Sequence, residues 1–211
     1  MVALYDLAAA PQGAAFHAGV AELTRLAGRT TMRVSLTEQM TRYDVPGEGS
    51  LDLPTFISLP IWFEDGGVEV DVISTPGSGV HGAVDPLAGL AYRVGGDRSR
   101  FDAVQVRPLN GTPRNPAGPH ARRAAQFLAS PGWPLDRLWP QEASSCDPSA
   151  SVAPWVHLSL HVDGNRLAGS VDGVEVAAVP VVKAAALRGD LGLFVDVGTE
   201  AYFSNLQITP A

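Results

Sequence analysis

The most informative alternation of apolar and polar positions runs through FDAVQVRPLNG and, after a polar loop, RRAAQFLASPGWPLDRL, residues 101–138. Side chains of a strand point to opposite faces in turn. Phe101, Ala103, Gln105, Arg107 and Leu109 therefore share one face, and Asp102, Val104, Val106 and Pro108 the other. In the second run Ala125, Phe127 and Ala129 oppose Ala124, Gln126 and Leu128. The valine face suits a core. The opposite face carries an amide and a guanidinium side by side in an otherwise apolar strand.

The same period of two recurs along the chain. Met32, Val34 and Leu36 alternate with polar neighbours. Asp65-Gly66-Gly67 reads as a turn into VEVDVIS, where Val68, Val70 and Val72 oppose Glu69 and Asp71. GLAYRV is a short strand holding Arg93, and WVHLSLHV places Val156, Leu158, Leu160 and Val162 on one side. Asp163-Gly164 and Asp172-Gly173 mark two more turns, and GDLGLFVDVG and AYFSNLQI close the chain. Residues 16–26 fit helical spacing through Phe16, Val20, Leu23 and Leu26, and fit a strand over 20–26 equally well. Many short strands separated by turn signals predict an all-β, two-sheet antiparallel β-sandwich, a single domain over residues 1–211.

Composition narrows the function classes. At 211 residues and 45% hydrophobic the chain can bury one sizeable core. A net charge of -7 is unsuited to nucleic acid or an anionic membrane. Cys146 is the only cysteine, so no internal disulfide forms. MVALYDLAAAPQG has Asp6 within a short apolar run, which makes a poor signal peptide, so a cytoplasmic protein is expected. Basic charge is almost all arginine, Lys183 being the single lysine, a usage associated with GC-rich bacterial genomes.

The order of the pieces resembles the concanavalin A-like lectin/glucanase superfamily, a laminin G-like jelly roll of two curved sheets. FEDGGVEVDV is similar to its F-x-x-G-x-I-E-x-D-V strand entry. GLAYRV, FDAVQVRPLNG and RAAQFLASPGWP resemble an uncharacterised bacterial group within it. GDLGLFVDVGTEAYFSNLQI is similar to the closing strands. The resemblance implies a concave sheet whose exposed face holds ligands. With the valine faces in the core, that face would present Glu69, Asp71, Arg93, Gln105, Arg107 and Gln126, with Trp133 near the cleft for stacking.

The chemistry is narrower than the fold. Glucanases of the superfamily carry E-x-D-x-x-E, and a retaining mechanism needs two carboxyls about 5–5.5 Å apart. Glu69-Val70-Asp71-Val72-Ile73-Ser74 ends in a serine and is half of that motif. The acids then serve to pair with Arg93 and Arg107. His157 and His161 lie about 13 Å apart along one strand, too far to share a metal. Asp163, Asp172 and Asp196 are oxygen donors without a calcium pattern, and no P-loop lysine follows a glycine run. No cofactor is expected. The expected function is non-hydrolytic recognition of a glycan or small polar ligand on the concave sheet. The alternative is an enzyme in the same cleft. It would be an atypical carbohydrate-active enzyme, or a cyclase or isomerase of bacterial secondary metabolism using Arg and Gln to polarise a carbonyl.

Overall fold

A computed structural model describes residues 3–7, 15–16, 19–37, 55–78, 86–107, 125–130, 155–179 and 188–211. Among them there is no helix, and every regular element is an antiparallel strand.

Eight strands form the larger sheet: β1 (Ala3–Tyr5), β3 (Gly19–Leu26), β4 (Arg29–Leu36), β6 (Gly66–Pro76), β10 (Val156–Asp163), β11 (Arg166–Val171), β12 (Val174–Val179) and β14 (Thr199–Pro210). Their order is β12-β11-β10-β6-β14-β4-β3, with β1 pairing to β14. The smaller sheet has six strands: β2 (Ala15–Phe16), β5 (Phe56–Phe63), β7 (Ala88–Val94), β8 (Phe101–Val106), β9 (Ala125–Ser130) and β13 (Gly189–Val195). Its order is β2-β5-β13-β7-β8-β9.

One core lies between the sheets. Val68, Val70 and Val72 of β6 are buried with Met32, Val34, Leu158, Leu160 and Phe203 from their neighbours. They face the aliphatic side of the smaller sheet: Ile57, Leu59, Leu90, Val104, Val106, Leu193 and Val195. The ambiguous segment is a strand, because all eight residues of β3 pair in register with β4. Tertiary pairing thus decides between two periods that the local pattern fits equally.

The larger sheet has a polar outer face, as its alternating burial requires. The smaller sheet differs, since every residue of β7 and β8 is buried. The outer side of those strands is enclosed, whereas the resemblance implied an exposed face.

Candidate functional site

The expected cluster divides between the two sheets. Gln105 is on β8 of the smaller sheet and Arg107 directly follows that strand, whereas Glu69 and Asp71 are on β6 at the centre of the larger one. They share strand parity but project outward on opposite sides of the sandwich. The expected pairing of Glu69 and Asp71 with Arg93 and Arg107 is therefore overturned.

Arg93 is corrected as well. Between Ala91, which pairs with Gly192, and Val94, which pairs with Asp190, the ladder slips, and Arg93 takes φ of 54°. A bulge re-aims its side chain and breaks simple alternation. The guanidinium leaves the sheet face and binds two turns. It donates to the Glu64 carbonyl at 3.0 Å, to Asp65 Oδ1 at 2.8 Å and to the Gly164 carbonyl. Its side chain is 2% exposed. Arg93 fastens the β5–β6 turn to the β10–β11 turn and is structural.

On the smaller sheet the outer face is built rung by rung. Phe56, Phe194, Gly89, Gln105 and Gln126 follow one another across β5, β13, β7, β8 and β9. The next rung is Ser58, Gly192, Ala91, Ala103 and Leu128. Gly192, Ala91 and Ala103 are small, so rings from distant strands meet above them. Phe56 and Phe101 have centroids 5.0 Å apart, edge to face, and Phe194 lies 6.4 Å from each. Gly89 contributes no side chain between Phe194 and Gln105.

Gln105 is fully buried, and neither its Oε1 nor its Nε2 has a hydrogen-bond partner among the described residues. Buried amides almost always have partners. Arg107 follows on the same face and is 5% exposed. Asp196, which extends β13 by bonding its N–H to the Leu87 carbonyl at 3.0 Å, stands close enough to feel the Arg107 charge. Burial pushes the Asp196 carboxyl above the ordinary carboxylate range, against the Val197 N–H and the Arg107 charge, which pull it down. Asp196 was legible in the sequence only as an oxygen donor. Its real signal is register, two positions beyond Phe194 on the same face. Gln126 lies opposite Gln105 in the ladder, and its side chain, like Trp133, is outside the described residues.

The larger sheet assembles a different group. Asp71 accepts from Arg29 at 2.6 Å and Asn205 at 2.6 Å, and His157 Nδ1 lies 2.8 Å from it. Burial raises the Asp71 pKa, but the His157 and Asn205 hydrogen bonds outweigh it and hold the carboxyl below its usual value. Glu69 Oε2 is 3.5 Å from His157 Nε2. Arg29, Asn205 and Trp155 were not legible as site residues, because three separate segments bring them together.

No protein-family model matches the chain, and no curated protein sequence matches it. Solved structures do. A carbohydrate-binding module, CBM66 from Bacillus subtilis, superposes with a TM-score of 0.54 at 14% identity, over 94% of this chain and 100% of that one. A protein of unknown function with a galectin-like fold, also from Bacillus subtilis, gives 0.54 at 12% identity, over 91% and 87%. A Bacillus licheniformis β-glucanase gives 0.47 at 11% identity, over 89% and 82%. The fold is the concanavalin A-like jelly roll, and at these identities the likeness speaks to fold alone.

Proposed function

We propose that this chain is a non-hydrolytic recognition module that holds a glycan or small polar ligand against the outer face of the six-stranded sheet, at Gln105 and Arg107. One observation carries the reading: the Gln105 amide is enclosed without a partner among the described residues. An unsatisfied buried amide costs about 1–3 kcal/mol, and a ligand offering one donor and one acceptor removes that cost. Adjacent sugar hydroxyls do this, as does a carboxylic acid or amide. Phe194 supplies an apolar wall beside it, and Arg107 adds a forked cation. The ligand class is supported by the carbohydrate-binding module that shares the fold.

Hydrolysis is disfavoured by the spacing of the outer-face carboxyls among the described residues. Asp190, on the same sheet, lies six residues from Asp196 along the chain, about 20 Å in extended strand. Glycosidase carboxyl pairs stand about 5–9.5 Å apart. Glu69 and Asp71 are on the other sheet. A second reading, an enzyme in the same enclosure, is favoured by Asp196 alone. A carboxyl whose pKa is raised by burial, near enough to feel the Arg107 charge, is suited to giving a proton to a bound carbonyl.

Native mass spectrometry of the purified protein, followed by titration with a glycan panel, tests both readings. A bound small molecule that is lost from Arg107→Lys, with the fold intact, supports the site, since lysine keeps the charge and loses the fork. Wild-type protein that carries nothing and binds no member of the panel would sink it. A ligand converted by wild type and left unchanged by Asp196→Asn would replace the module with the enzyme.

A further inference from the structure

A second organised polar surface lies on the opposite side of the sandwich. Asp71 at its centre is 14% exposed, while Arg29, His157 and Glu69 around it are 42%, 39% and 43% exposed. Asp71 is occupied by its neighbours, and in holding them it sets their directions. With Nδ1 turned to Asp71, His157 turns Nε2 toward the Glu69 carboxylate. Asn205 reaches Asp71 because β14 bulges between Ser204 and Gln207, where Asn205 adopts φ of 53°. Such bulges re-aim a side chain. Arg29 also stacks over the Trp155 ring, its guanidinium carbon 4.9 Å from the centroid. The Trp155 indole N–H is buried with no hydrogen-bond partner among the described residues.

The ligand chemistry follows from the charges. Arg29 is neutralised by Asp71, so no free cation draws an anion. Asp71 is filled by its three partners, and no group of three metal-ligating side chains occurs among the described residues. What remains is an exposed carboxylate, an imidazole nitrogen, an amide and an indole within one small patch. A hydroxyl both donates and accepts, and neighbouring hydroxyls on a sugar ring match Glu69 Oε2 and His157 Nε2, which lie 3.5 Å apart.

We infer that this surface is a second saccharide site, independent of the enclosed one, which takes a neutral sugar through adjacent hydroxyls bridging Glu69 and His157 beside Trp155. The full chain, isotope-labelled, should be titrated with the methyl glycosides of glucose, galactose, mannose and fructose while the His157 imidazole and Trp155 indole signals are followed. At least one sugar should shift both signals saturably. Glu69→Gln should weaken that binding about ten- to hundredfold, the loss of a hydrogen bond to a charged group. Gln105→Met should leave it unchanged, which separates this site from the enclosed one. The inference is overturned if no sugar moves either signal, if Glu69→Gln binds like wild type, or if the shifts are confined to residues around Gln105.

Discussion

Gly89 and Gln105 face each other on β7 and β8, with the backbones so close that no side chain fits at position 89. A Cβ there would lie 1.9 Å from the Val104 carbonyl oxygen and 2.8 Å from Gln105 Cα. The close approach of β7 to β8 beside Gln105 is therefore fixed by backbone.

Gly89→Ala forces β7 and β8 apart. Overpacking a well-packed site costs typically about 1–3 kcal/mol, and the obstacles here are main-chain atoms that cannot rotate away. Urea unfolding should show a loss at or above that range, together with loss of ligand binding at Gln105. A variant as stable as wild type would show that the strands separate freely and that the site is not preorganised.

Arg93→Ala should be among the most damaging substitutions on the smaller sheet. It strands the Glu64 and Gly164 carbonyls together and leaves Asp65 Oδ1 with the Gly164 N–H alone. Breaking a buried pair costs about 3–5 kcal/mol, and the partial exposure of Asp65 places this pair toward the lower end. Arg93→Lys should recover only part of the loss, since one ammonium cannot span both turns. Ligand binding per folded molecule should be unchanged in Arg93→Lys; a selective loss of binding would return Arg93 to the site.

The carboxylates predict opposed pH effects. Asp71 and Glu200 have folded pKa values below their ordinary ones: burial raises each, but hydrogen bonds, from His157 and Asn205 to Asp71 and from Arg33 and Tyr202 to Glu200, prevail. Their stabilisation is present above the unfolded carboxylate value and is lost as pH falls through the folded one. Asp196 is raised by burial, so its contribution is greatest in acid and is lost as pH rises through its folded value. Asp71→Asn should flatten the acid limb of a stability-versus-pH curve measured by urea unfolding. Asp196→Asn should make the protein more stable near neutral pH. Parallel curves for wild type and both variants would contradict the assigned shifts.

Strand identity and parity were legible in the sequence, because one buried face imposes a period of two. The valine face of β6 is where alternation puts it, and Gln105 pairs with Gly89 on the side of β8 away from Val104 and Val106. Sheet membership was not legible. Whether Glu69 and Gln105 share a surface depends on which strands pair with β6, and the answer, β10 and β14, comes from more than 80 residues downstream. Arg93 was misplaced because alternation assumes an unbroken ladder, and the slip opposite Asp190 leaves no mark in GLAYRV. Trp62, near the end of β5, stands 66% exposed beneath the Arg188 guanidinium, whose carbon is 5.6 Å from the ring centroid.

The substitution that best separates function from architecture is Gln105→Met. Methionine is unbranched, adapts to irregular gaps and removes both amide atoms. If Gln105 is kept for a ligand, the empty protein carries the cost of an enclosed amide, and replacing it should stabilise that form by about 1–3 kcal/mol. Binding should fall in the same variant, because the donor and acceptor are gone. Gain of stability with loss of binding is the signature of a residue retained for function at the expense of the fold. Paired thermal melts with and without ligand read both effects on one sample: wild type should shift upward with ligand, and Gln105→Met should start higher and not shift. A Gln105→Met protein that melts below wild type without ligand would mean that the amide holds the structure together, and Gln105 would leave the site.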